Sequence, residues 1–128
     1  MSKILLVDDD VDLMAQYQTA LSGTGHELIA AYSASEARQL LKTMTPDLAV
    51  LDVMMENGFP GFDLAIEIHS QAPDVPVLMV SSINERLKAP VPFGRDENLP
   101  IHKFLNKPVP PKVLRQEVES ALASAKKR

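Results

Sequence analysis

The sequence predicts an α/β fold, a parallel sheet with helices on both faces. Three observations carry that expectation. Short continuous apolar runs recur along the chain, as strands buried on both faces require. Between them apolar residues fall at helical spacing, and the two patterns alternate from one end to the other, which implies right-handed β–α–β units. At 128 residues the chain suits one domain with a real core and is short for two.

The first run is ILLV, residues 4–7. Val11, Met14, Ala15, Gln18 and Leu21 then set a helical stripe that GTG at 23–25 ends. HELIAAY, 26–32, reads as a second strand. Ser33 with Glu36 forms a capping box, and Ala34, Ala37, Leu40, Leu41 and Met44 give the second helix its inner face until Pro46 breaks it. LAVLDV, 48–53, is the third strand. NGFPG, 57–61, is a loop by composition, and Phe62, Leu64, Ala65 and Ile68 suggest a third helix ending before Pro73. VPVLMVSS, 75–82, is the fourth strand. Across 83–103 four prolines or glycines permit at most a short helix near 83–88. IHKFLN, 101–106, is the last strand. Pro110 or Pro111 opens the last helix, with Leu114, Val118, Ala121, Leu122 and Ala125 as its stripe.

Composition removes several function classes. There is no cysteine, hence no disulfide, thiolate nucleophile or Cys-ligated zinc. A net charge of -4 argues against non-specific nucleic-acid binding. MSKILLV falls short of a signal peptide, and no apolar stretch is long enough to span a membrane, so the expected compartment is the cytoplasm. The expected domain runs over 1–125, with 126–128 (KKR) a solvated basic tail.

In parallel sheets of this kind ligands gather at the carboxyl ends of the strands. Asp8 and Asp9 end the first strand, Asp52 the third, Ser81 and Ser82 the fourth, and Lys107 follows the fifth, so all converge on one edge. Adjacent carboxylates about 4 Å apart repel by about 1 kcal/mol in water and about 4 kcal/mol near a protein surface. A hard cation such as Mg²⁺ offsets that cost. A carboxylate beside such a cation and opposite a lysine can act as a nucleophile toward a phosphoryl group, with a hydroxyl donating to the phosphoryl oxygens. Asp10 is expected to do something simpler, capping the first helix, with Asp12 favoured by its dipole.

With these residues in place, the sequence resembles the receiver domain of two-component response regulators over essentially its whole length. The resemblance rests on ILLVDD (4–9), PDLAVLDVMM (46–55), PVLMVSS (76–82) and FLNKP (104–108), and on intervals of 43 residues from Asp9 to Asp52 and 29 from Asp52 to Ser81. It implies a flavodoxin-like doubly wound sheet of five strands in the order 2-1-3-4-5. It implies that Asp52 is the phosphoacceptor, that Asp8 and Asp9 hold Mg²⁺, and that Asp9, Asp52 and the backbone carbonyl of Met54 are the direct protein ligands. Ser81, chosen over Ser82 by the alignment alone, is then the switch hydroxyl. Lys107 pairs with the phosphoryl group, its amine aimed into the site by a cis bond to Pro108, and Phe104 occupies the place of an aromatic switch, with plain core packing as the competing reading. The implied partner is a histidine kinase or phosphotransfer protein, docking in part on the first helix. The implied role is a phosphorylation-dependent switch rather than an enzyme.

The chain departs from the family pattern in several places. Glu56 stands where proline is usual, the glycine that opens the third helix comes one residue late at Gly61, and the 26 residues from Ser81 to Lys107 exceed the usual interval. The resemblance therefore leaves the family's fourth helix short or irregular. Met54 and Ile83, flanking the site, are apolar and predict slow hydrolysis of the acyl phosphate. The competing expectation is a receiver-like interaction module that is not phosphorylated. An aspartate-nucleophile phosphohydrolase is disfavoured because Met54 replaces its second carboxylate. A flavin module is disfavoured because no phosphate loop follows the first strand. His26, His69 and His102 match no metal spacing. No output domain follows the last helix, so the expectation is a stand-alone regulator or a piece of a longer chain.

Overall fold

The computed structural model describes residues 2–53, 60–81 and 101–126. Five parallel strands, β1 (Lys3–Val7), β2 (Glu27–Ala31), β3 (Leu48–Asp52), β4 (Val77–Ser81) and β5 (Lys103–Asn106), form one sheet in the order β2-β1-β3-β4-β5. Among the described residues there are four helices, α1 (Val11–Leu21), α2 (Ala34–Leu41), α3 (Pro60–Gln71) and α4 (Pro111–Lys126). The expected fold and strand order are both present.

Strand alternation divides the core in two. Ile4, Leu6, Leu48, Val50, Leu78 and Val80 face α1 and α4, meeting Met14, Tyr17, Leu21, Leu114 and Val118. Leu5, Val7, Ala49, Leu51, Val77 and Met79 face α2 and α3, meeting Ala34, Ala37, Leu64, Ala65 and Ile68. Because successive side chains leave opposite faces of a strand, continuous apolar runs are what a doubly covered sheet requires.

The local signals behave as their chemistry dictates. Asp10 caps α1, its side chain accepting from the backbone N–H groups of Asp12 and Leu13, and Ser33 caps α2 by accepting from Glu36. Gly23 and Gly25 take φ of 80° and 85° just after α1, a conformation that costs other residues a steric penalty.

Three expectations need correction. The inner stripe of α1 is Met14, Tyr17, Ala20 and Leu21, whereas Val11 and Ala15 are exposed. A helix this close to α4 buries its flank toward that neighbour, and its partner rather than its own periodicity sets the face. α2 ends at Leu41 with Lys42 as its cap, leaving Met44 beyond it. Pro60 and Gly61, loop by composition, are the first residues of α3, as the family's helix-opening glycine implies for Gly61, and proline there lacks only an N–H that has no intrahelical partner anyway. The expected short helix near 83–88, residues 83–100 of the loop at 83–103, Ser82, Met54, Glu56 and residues 127–128 lie outside the described residues.

Candidate functional site

The carboxyl edge of the sheet assembles the site. β1 is buried along Ile4–Val7 and stops where Asp8 emerges, its N–H donating to the Ala31 carbonyl at 3.2 Å. Asp8 is 1% exposed, while Asp9 and Asp10 are open to solvent. The turn into α1 is held by three hydrogen bonds, from Asp10 N–H to Asp8 Oδ1 at 2.9 Å and from the N–H groups of Asp12 and Leu13 to Asp10 Oδ1 at 3.0 and 3.1 Å.

β3 is buried at every residue and carries Asp52, 3% exposed, at its end. Next to it β4 ends at Ser81, fully buried, in register with Asn106 of β5. Lys107 N–H donates to the Ser81 carbonyl at 2.8 Å, which fixes the start of the loop after β5 against β4. The Lys107–Pro108 bond is cis, as the resemblance implies. The Lys107 ammonium lies 2.9 Å from Asp52 Oδ1. Phe104 is half-buried and packs against the core on the α2–α3 side.

Asp8, Asp9 and Asp52 each offer a carboxylate oxygen within 4.8 Å of the others. Burial pushes the Asp8 carboxyl above the usual carboxylate range, with the negative charges of Asp9 and Asp10 adding to the rise; the Asp10 N–H and the Lys107 ammonium pull it back. Asp8 Oδ2 is buried and has no hydrogen-bond partner among the described residues. A buried acceptor without a donor costs about 1–3 kcal/mol. Three hard oxygens and an acceptor of this kind suit a divalent ion such as Mg²⁺. Among the described residues the edge thus gathers three carboxylates, one hydroxyl and one ammonium.

Two residues that the sequence left without a site role belong to this geometry. Gly61 donates to the Val53 carbonyl at 3.3 Å, and a β-carbon there would overlap the Asp52 carbonyl oxygen and lie 3.0 Å from Val53 Cα and O. The late glycine was the only sequence signal of that approach. Asp10 contributes its main-chain N–H as well as its cap, and main-chain roles leave no mark on residue type.

Comparison with known proteins converges on one family. The model of the response regulator receiver domain matches residues 4–119. The "Probable transcriptional regulator ycf27" of Porphyra purpurea is 32% identical over 128 residues, covering 98% of this chain and 49% of its own length. The chain thus spans about half the length of such curated relatives. Among solved structures, NtrX from Brucella abortus superimposes with a TM-score of 0.82 at 30% identity, covering 98% of this chain and 28% of that one. A CheY-like receiver domain protein from Methanospirillum hungatei JF-1 shares the fold, with a TM-score of 0.83, 23% identity and coverage of 99% and 98%.

Proposed function

Because the chain belongs to the response regulator receiver domain family of two-component systems, we propose that it is a phosphorylation-dependent switch that takes a phosphoryl group onto Asp52 from a histidine kinase or phosphotransfer protein. One observation carries this reading: a buried carboxylate at a strand end with an ammonium 2.9 Å away and two further carboxylates beside it. Receiver domains generally bind Mg²⁺ at such an acidic pocket, and here Asp8, Asp9 and Asp52, with the Met54 carbonyl, would hold it. When bound, the ion offsets the repulsion among the carboxylates and the negative charge of an incoming phosphoryl group.

The chain's own residues then divide the work. A carboxylate oxygen of Asp52 attacks phosphorus, the new P–O bond forms as the P–N bond to the donor imidazole breaks, and the imidazole leaves with the bonding pair. The Lys107 ammonium, already beside Asp52, neutralises charge on the transferred oxygens. Ser81 at the end of β4 supplies a hydroxyl donor on the neighbouring strand. Hydrolysis later returns the Asp52 carboxylate and inorganic phosphate. The expected compartment is the cytoplasm; among the described residues no helix is long and apolar enough to cross a membrane.

The test is intact mass after incubation with acetyl phosphate and Mg²⁺. One added phosphoryl group is expected, and none in Asp52→Asn or without Mg²⁺. No adduct with acetyl phosphate, beryllium fluoride or a panel of kinases overturns the reading and leaves the interaction module. A second measurement follows the adduct in time. With apolar Met54 two residues after Asp52 and apolar Ile83 two after Ser81 in sequence, the acyl phosphate is expected to persist for minutes or longer in Mg²⁺. A lifetime of seconds would contradict the water-excluding role of those side chains.

A further inference from the structure

We infer that Asp10 is a positioning residue for the Asp8 carboxylate, joining the cap of α1 to the metal-binding turn; this rests on the Mg²⁺ reading above. Asp10 takes φ -86° and ψ 107°, the extended conformation of an N-cap, and holds it because its side chain accepts from the N–H groups of Asp12 and Leu13 at 3.0 and 3.1 Å. In that conformation its own N–H points back to Asp8 Oδ1 at 2.9 Å. One oxygen of Asp8 is thereby occupied and the rotamer set, and the other, Oδ2, is left buried without a partner among the described residues. The third carboxylate of the run is tolerated beside two others because the α1 N–H groups and the positive end of the helix answer its charge. A cap that served the helix alone would need no contact with Asp8. Here a single residue ties both ends of the turn.

The discriminating series is Asp10→Asn, Asp10→Ser and Asp10→Ala. All three remove the same negative charge, and Asn and Ser keep a side-chain acceptor while Ala has none. Mg²⁺ affinity is read by calorimetry well below the melting temperature, with hydrogen exchange of the residue-10 amide as a second readout. Asn and Ser are expected to bind Mg²⁺ alike, and Ala about fivefold more weakly, the fold-change corresponding to loss of one typical cap. The Ala variant is also expected to lose exchange protection at that amide. If Ala does not fold, Asp10→Gly, tolerated at caps yet lacking the acceptor, replaces it. Equal Mg²⁺ affinity in a folded Ala or Gly variant and in Asn overturns the inference, since a purely structural cap would lower stability and leave affinity unchanged. A wild-type chain that binds no Mg²⁺ overturns the metal reading, and this inference with it.

Discussion

Replacing Gly61 by alanine is expected to slow phosphoryl uptake by about 100-fold while leaving a folded protein. The added β-carbon would overlap the Asp52 carbonyl oxygen and press on Val53 Cα and O at 3.0 Å. These are backbone atoms in a sheet, held by the Val53 N–H to Val80 bond at 3.0 Å and the β3–β4 ladder, so no flexible side chain can yield. Either α3 lifts away or the end of β3 moves, and in both cases Asp52 shifts relative to Lys107. A misplacement of about 1 Å can cost about 100-fold in rate. Overpacking of this sort costs about 1–3 kcal/mol, partly offset by the roughly 1 kcal/mol by which alanine is the better helix former. The rate of adduct formation with acetyl phosphate, compared with the melting curve, separates the effects. A variant that melts lower yet phosphorylates at the wild-type rate would show that α3 alone gives way.

Asp8→Asn is expected to raise the melting temperature of the metal-free protein by about 3–6 °C and to remove most stabilisation by Mg²⁺. Asp8 is buried against Asp9 and Asp52, and a like-charge pair about 4 Å apart costs at least about 1 kcal/mol. For a domain of this size that energy corresponds to a shift of a few degrees. The pH dependence has a definite sign. Burial raises the Asp8 carboxyl above its unfolded value, so folding favours the acid form. That contribution is complete below the unfolded pKa, about 4, and is lost as pH rises through the raised folded value. The advantage of Asn over Asp in metal-free protein should therefore be small in acid and grow toward neutral pH. Mg²⁺ should reverse the order, since a ligand at ten times its dissociation constant stabilises the wild type by about 1.4 kcal/mol and the variant has lost one of the negative charges that attract the ion. Melting curves at acid and neutral pH, with and without Mg²⁺, check all three arms. A wild type more stable than the variant at neutral pH without metal would overturn the argument.

Much of the candidate site was legible because each of its side chains stands at a strand end and interrupts an apolar run. Asp8 after ILLV, Asp52 in LAVLDV and Ser81 in VLMVSS are visible as polar residues where burial is otherwise unbroken. Lys107 was legible from the proline that follows it. Gly61 and the main-chain N–H of Asp10 were not, because their contributions come from backbone proximity, which no residue type encodes. His26 is similar: nothing around it in sequence foretells that its Nδ1 accepts from Ser2 N–H at 3.2 Å and its Nε2 meets Glu119 at 2.6 Å, 93 residues away.

The sequence by itself determined the class of fold, the order of its elements and the edge where the polar residues meet. Those follow from period, from the two-sided burial of a parallel sheet and from the rule that ligands gather at the carboxyl ends of strands. Tertiary structure alone decided which flank of α1 is buried, since the face that α4 covers is a property of the pair: Tyr17 and Ala20 turn inward and Ala15 outward. It also decided the 2.9 Å approach of Lys107 to Asp52 and the contact of α3 with the end of β3. Spacing along a chain selects which groups can meet, whereas distances of a few ångströms are set by packing, where every neighbouring side chain contributes.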